Sequence, residues 1–163
     1  PYEGGVRVPM VALWPGVTAA GATDRTPVVI EDLFPTLLEL AGAKENDHPA
    51  PSVDGRSLVP ELRAPGAIDP ARPLVWHYPN FYAGQQPFSA LRVGPWKLIY
   101  FHADRHLELY NLEDDIGETV NLASKEPARA AAFARQLGQL LRERGALMPT
   151  VTKTGAPVPY PGE

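Results

Sequence analysis

Proline and glycine punctuate this chain too often for long regular elements: 19 Pro and 14 Gly stand among 163 residues, about a fifth, where ordinary usage gives about 12%. Proline removes a backbone donor and ends helices and central strands, while glycine marks tight turns. The chain must therefore build from short elements joined by shaped loops, not from a helical bundle. Its length suits one domain, or the end of one plus a small second, and allows roughly 70% of the unfolded surface to be buried. Charged residues make up 21% and hydrophobic residues 44%, which argues against a disordered acidic tail. A formal net charge of −4 gives no basic footprint for nucleic acid. The absence of Cys excludes disulfides, Cys-ligated zinc and thiol catalysis within this stretch, and leaves the redox compartment open. No apolar run approaches the roughly 18 residues of a membrane helix, and no basic-then-apolar leader opens the chain. Pro1-Tyr2-Glu3-Gly4-Gly5 is loop text without an initiating Met, so the chain reads as the middle-to-end of a longer protein.

The first apolar run, Val6 to Trp14, is closed by Pro15-Gly16. Its part after Pro9 is nearly continuous, as in a strand buried on both faces of a helix-covered sheet. Such a strand needs neighbours from upstream. Asp32 to Ala41 carries apolar residues at 33, 34, 37, 38, 40 and 41, the pattern of a helix with a broad apolar face, stopped by Gly42. From Ala43 to Pro73 the text is loop-like, with Pro49, Pro51, Pro60, Pro65 and Pro70. Asp54-Gly55-Arg56-Ser57-Leu58 turns there into a short helical piece at Val59 to Leu62. A boundary between two packing units is expected at 62/63. Four strands follow: Leu74 to Tyr78, Phe88 to Val93, Trp96 to Phe101 and Leu107 to Asn111. Their alternation predicts an antiparallel sheet with one face solvated. Ser124 as cap, Pro127 in the first turn and apolar residues at 130, 133, 134, 137, 140 and 141 predict an amphipathic helix lying on that sheet and ending at Gly145. The proline-rich tail, 149–163, is expected to be poorly ordered unless docked.

Chemistry has few places to sit. No nucleophile elbow, phosphate-cradling glycine loop or His-Glu-x-x-His run is present. His102, Asp104 and His106 alternate and could face a metal, or form an ordinary polar hairpin tip. The acidic run Glu113 to Glu118 lacks the alternating spacing of a calcium loop and reads as a solvated turn. His77 stands in Trp76-His77-Tyr78-Pro79-Asn80-Phe81-Tyr82, an aromatic run passing from strand to loop. A His so placed can donate to an anionic or sugar-like ligand, or be satisfied by a backbone carbonyl. Glu3-Gly4-Gly5-Val6-Arg7 precedes the apolar run and is suited to supporting a site.

Five segments together resemble the second half of a type I sulfatase, an arylsulfatase-like member of the alkaline phosphatase superfamily. They are Tyr2-Glu3-Gly4-Gly5-Val6-Arg7-Val8-Pro9 followed by Leu13-Trp14-Pro15-Gly16; Asp32 to Gly42; Asp54 to Leu58; Ser89 to Ile99 with Val93-Gly94-Pro95-Trp96-Lys97; and Glu108 to Asp115. The resemblance runs from Tyr2 to about Leu141. It implies an α/β fold, α+β in its C-terminal part: the end of an alkaline-phosphatase-like sheet domain over 1–62, then over 63–148 a four-stranded antiparallel sheet packed on a long helix.

The activity implied is hydrolysis of sulfate esters by a formylglycine nucleophile, with Ca2+, Lys and His residues holding the sulfate. The formylglycine arises from Cys/Ser-x-Pro-x-Arg, which this chain lacks, and the family's calcium carboxylates and active-site Lys precede Glu3. No catalytic or metal residue is therefore assigned here, and the chain alone is expected to be inactive. Its expected partners are the missing N-terminal catalytic part and, for the whole enzyme, a sulfated small molecule or glycan. Neither nucleic acid nor a membrane span is expected. His77, Tyr78 and Asn80 are the residues expected to touch the non-sulfate part of the substrate. Ile116 stands where the family commonly has Pro. Many members are exported, which points to a periplasmic or secreted protein. The alternatives are a phosphonate or phosphate monoester hydrolase of the same superfamily, or a non-catalytic packing or binding module.

Overall fold

The computed structural model describes residues 1–43, 54–82 and 84–163, in two compact units. Pro49 and Pro51 of the loop-like stretch lie outside the described residues.

The first unit joins Pro1–Val8 to Pro73–Glu163. A single helical turn, α1 (Glu3–Val6), opens it. The strands are β1 (Leu74–Tyr78), β2 (Phe88–Val93), β3 (Trp96–Phe101) and β4 (Leu107–Asn111). They form one antiparallel sheet in sequence order, each strand paired with the next as in successive hairpins. Register places His77 opposite Ser89, Leu91 opposite Leu98, and Leu98 opposite Leu109. At Gly94 the β2–β3 turn needs φ of 57°, which glycine adopts without cost.

One sheet face packs on the 17-residue α4 (Pro127–Glu143). Leu91, Leu98, Tyr100 and Leu109 meet Ala130, Ala134, Leu137 and Leu141 there. Each leucine so buried contributes about 1.5–3 kcal/mol. α4 begins three residues after Ser124, because Leu122 to Glu126 first form a turn closed on the Leu122 carbonyl, and Pro127 takes the first helical position. No side chain caps it, so the expected Ser124 cap is not made. Gly145 ends the helix with φ of 62°.

The expectation of one solvated sheet face is not met. Phe88, Ala90, Ile99, Phe101, Tyr110 and Leu112 bury the opposite face, with Trp76 and Tyr78 against them. The odd-numbered positions of β3 that read as outward, Lys97 and Ile99, are both fully buried. The tail is docked on α4. Val158 donates its N–H to Pro149 O and the Tyr160 hydroxyl donates to Ala146 O. Pro161 lies so close to the helix that a Cβ on Gly138 would stand 2.2 Å from its carbonyl oxygen.

The second unit is Pro9–Arg72. A 3-10 turn (Ile30–Asp32) leads into α2 (Leu33–Leu40), and α3 spans Val59–Arg63. Gly42 stops α2 with φ of 69°, its N–H on Glu39 O. The strand expected over Met10 to Trp14 is absent: Met10, Val11 and Leu13 are exposed coil. A strand requires lateral hydrogen-bond partners and cover on its apolar faces, and the described residues supply neither. The apolar side chains Leu33, Phe34, Leu37 and Leu40 of α2 are likewise exposed. Asp32 is the polar centre of this unit. It accepts from the Val29 and Arg56 N–H groups, at 2.9 Å each, and from both ends of the buried Arg72 guanidinium. Burial alone would raise its pKa; the Arg72 and backbone hydrogen bonds outweigh burial and hold the carboxyl below its ordinary value.

Candidate functional site

Within the first unit, the face of the sheet away from α4 carries a buried charge cluster. Lys97, 0% exposed, points from the centre of β3 with Nζ 2.9 Å from Glu3 Oε1 and 2.9 Å from Glu118 Oε1. Glu118 Oε2 also accepts the Glu3 N–H at 2.5 Å. Arg92 and Arg7 approach Glu3 Oε2 at 3.7 and 3.6 Å. A buried ammonium without partners would be strongly disfavoured, so two carboxylates are the condition for Lys97 to stand here charged. Glu118 takes a left-handed φ of 53°, a conformation costly for a non-glycine residue that persists where surrounding contacts over-determine it. The cluster ties the Glu-Gly-Gly segment to the sheet. Its lysine is sealed from solvent between the two carboxylates.

Beside it, the Tyr2 and Tyr110 hydroxyls both donate to Glu108 Oε2, at 2.9 and 3.0 Å. Burial and then the Glu108 carboxylate push the Tyr2 phenol up to about 12, and Tyr110 is raised by the same two causes.

At the other end of the same strands lies a chain of hydrogen bonds centred on His77. Nδ1 of His77 is 2.7 Å from Ser89 Oγ, and Ser89 Oγ is 2.9 Å from His102 Nε2. Nε2 of His77 is 3.0 Å from the Leu147 carbonyl oxygen. The His77 and His102 rings meet edge to face, with centroids 5.7 Å apart. His102 is 2% exposed, and burial, then the neighbouring His77, lower its pKa to about 4. It is therefore neutral at physiological pH.

The three sequence candidates separate in role. His77 has both ring nitrogens engaged by protein groups. Tyr78 stacks on Phe88 at 5.8 Å. Asn80 is exposed at the start of the β1–β2 loop, followed by the exposed aromatics Phe81 and Tyr82. His102, Asp104 and His106 are not brought together as a ligand set. His102 points inward to Ser89, while Asp104 and His106 pair with each other at 2.5 Å in an exposed turn. The acidic run is a solvated turn only in part: Asp115 accepts the Thr119 and Val120 N–H groups at 2.8 and 2.9 Å, whereas Glu118 is buried, drawn inward by Lys97 and the Glu3 N–H. Among the described residues no group of three or more His, Asp or Glu side chains could hold a metal ion.

Lys97, Glu118, Ser89 and the partnership of His102 with His77 were not singled out from sequence. Ser89 could have been found from register alone, because it stands directly opposite His77 in the β1–β2 pair. A lone lysine within the apolar central strand, downstream of a glutamate motif, was the available signal for the tether.

Comparison with known proteins agrees with the fold and motifs. The family model for N-sulphoglucosamine sulphohydrolase, C-terminal, matches residues 1–145. The chain is 34% identical to a sulfatase of Formosa agariphila over 98% of this chain and 31% of that protein. It is 33% identical to human arylsulfatase A over 93% of this chain and 33% of that protein. It thus spans about a third of the length of these relatives. A solved 2-O GAG sulfatase is similar at 27% identity and a TM-score of 0.58, over 71% of this chain and 25% of its own. A structure in complex with its substrate, D-glucosamine-2-N,6-O-disulfate, shares the fold with a TM-score of 0.66 over 81% of this chain and 27% of its own. A four-stranded antiparallel sheet backed by one long helix, the Glu-Gly-Gly segment tethered to that sheet, and these matches place the chain in the sulfatase family, as its C-terminal portion.

Proposed function

We propose that this chain is the C-terminal part of a longer sulfatase that hydrolyses sulfate esters. The observation that carries this reading is the match to a sulfatase along 98% of the chain at 34% identity. The nucleophile and metal site belong, on this reading, to the preceding part of the protein. The described residues do not fit either group: the chain has no Cys and no Ser-x-Pro-x-Arg, and no carboxylate or imidazole cluster suited to Ca2+. No chemical step is therefore assigned to residues of this chain. Bound in the whole enzyme, formylglycine and Ca2+ would supply the nucleophile and the electrostatic hold on the sulfate.

The role of this portion is to complete the fold and to wall the substrate cleft. The exposed apolar run Met10 to Leu13 and the exposed face of α2 are surfaces that a complete sulfatase domain would cover. His77, Tyr78 and Asn80 are proposed to contact the non-sulfate part of the substrate. Supporting this are the surface position of Asn80 and the adjacent exposed aromatics Phe81 and Tyr82, whose faces suit sugar rings. The 2-O GAG sulfatase among the structural neighbours makes a sulfated glycan the substrate class to test first. Kinetics of the whole protein with His77→Ala and Asn80→Ala test the site. A several-fold rise in KM with kcat retained supports it, and unchanged constants leave those residues structural.

A further inference from the structure

We propose that the outer side of the Tyr2–Arg7 turn is a docking surface for the part of the protein that precedes Pro1, and that Gly4 and Gly5 are bare there so that a segment of that part lies directly against their backbone. The proposal rests on the reading of this chain as the C-terminal part of a longer protein.

The two glycines have no reason inside the chain. Both stand in the helical turn α1, closed by the Val6 N–H on Tyr2 O at 3.1 Å and the Arg7 N–H on Glu3 O at 2.8 Å. Glycine is a poor residue for a helical turn, because it loses more backbone freedom there than alanine does. Every other glycine of the chain is accounted for by its own surroundings. It takes a left-handed φ, as Gly94 and Gly145 do, or it stands where a Cβ would crowd a neighbour, as at Gly55, Gly117 and Gly138. Gly4 and Gly5 do neither. Their φ is not left-handed, both are exposed, and a Cβ on either would meet no atom within 4 Å among the described residues. What excludes a side chain at these positions must then approach from outside.

The turn is meanwhile held as a fixed surface. The Tyr2 hydroxyl donates to Glu108, the Glu3 carboxylate meets Lys97, the Glu3 N–H donates to Glu118, and Arg7 folds back to Glu3 at 3.6 Å. Glu3 is buried on the inner side, whereas Gly4, Gly5, Arg7 and Val8 are exposed, Val8 at 78%. A backbone pinned from within and bare on its outer side is preorganised for contact, and binding to it costs little further ordering. The exposed Val8 favours a protein segment over a small polar ligand as the neighbour, because covering it removes apolar surface from water. The chain spans about a third of the length of its relatives. On this reading the remaining length supplies such a segment and joins the chain directly before the pinned turn.

The test places Gly4→Ala and Gly5→Ala, singly and together, in two settings and reads the melting temperature. In the 163-residue chain each substitution should leave Tm unchanged or raise it by up to about 4 °C, the gain of alanine over glycine in a helical turn. In the whole protein, with its upstream coding sequence, the same substitutions should lower Tm by about 2 °C or more, because the added methyl group crowds the docked segment. Opposite signs in the two settings are the signature of the surface. A whole-protein variant that does not fold, where its 163-residue counterpart does, is the same result in stronger form. An unchanged or raised Tm in both settings overturns the proposal. So does a loss in both, or a failure of both to fold, which would place the need for glycine within this chain. A raised KM for sulfate esters with the whole-protein Tm at or above wild type also overturns it, and would put substrate on this surface instead. Sulfate release by the wild-type whole protein is measured separately: its failure overturns the sulfatase reading, while the paired Tm values still decide the docking surface.

Discussion

Lys97 Nζ stands 2.9 Å from Glu3 Oε1 across 94 positions of sequence, and the glutamate N–H is held in turn by Glu118. This contact fastens the segment that opens the chain to the central strand of the sheet. Buried ion pairs contribute little over apolar replacements, but removing one member strands the others. Lys97→Met should therefore cost about 3–5 kcal/mol, because it leaves the buried Glu118 carboxylate without its cation and Glu3 with only the longer Arg7 and Arg92 contacts. Replacing Lys97, Glu3 and Glu118 together by Met, Gln and Gln should recover much of that loss. Urea unfolding of the single and triple variants checks both halves, and a single variant as stable as wild type would remove the tether from the account.

The docked tail makes a separate prediction. A Cβ at Gly138 would lie 2.2 Å from the Pro161 carbonyl oxygen, nearer than packed atoms approach. Gly138 sits inside α4, where alanine is ordinarily the better residue by about 1 kcal/mol. Gly138→Ala should nevertheless destabilise, by about 1–3 kcal/mol, and free residues 149–163 for proteolysis. Limited digestion with mass spectrometry reads the release. A more stable, equally resistant variant would mean that the tail does not hold α4 at this point.

The core beneath the tail follows ordinary cavity energetics. Leu137 is fully buried between α4 and the sheet, and Leu137→Ala should cost about 2–5 kcal/mol. Leu147→Ala, on an exposed side chain, should change stability by less than about 0.5 kcal/mol. Equal effects in denaturant titrations would contradict the assignment of the core.

His102 predicts a pH dependence. Its folded pKa, about 4, lies below the ordinary value near 6.5, so the unfolded chain binds the extra proton more readily. Stability should therefore be full above about pH 6.5 and fall as pH drops toward 4, by on the order of 3 kcal/mol for this group. Asp32 and Asp115, both held below their ordinary values, lose their contributions at lower pH still. Replacing His102 by Gln should flatten the slope between pH 6.5 and 4, and an unaltered slope would show that another group causes it.

Much of the C-terminal fold was legible because its signals are local. The bounds of the four strands were readable from alternation, from Val93-Gly94-Pro95-Trp96 and from the polar turn at Ala103 to Arg105. Val59 to Leu62 and the α4 pattern were readable for the same reason. What was not legible depends on distant residues. A lysine alternating with apolar residues reads as solvent-facing, and only Glu3 and Glu118 draw Lys97 inside. The tail looked unanchored because its docking depends on Gly138 being small, a fact carried by another element. Met10 to Trp14 has the composition of a buried strand, but composition cannot provide the neighbours that make one. At the candidate site, His77 was visible by its aromatic surroundings, while Ser89 and His102 joined it only through strand register.

The most direct test of the central claim is sulfate release by the protein with its upstream coding sequence, compared with the 163-residue chain alone, using 4-nitrocatechol sulfate and D-glucosamine-2-N,6-O-disulfate with Ca2+ present. Sulfate release by the whole protein on at least one ester and none by the isolated chain is the predicted result. Turnover by the isolated chain, or a whole protein without activity on any sulfate ester, would contradict it.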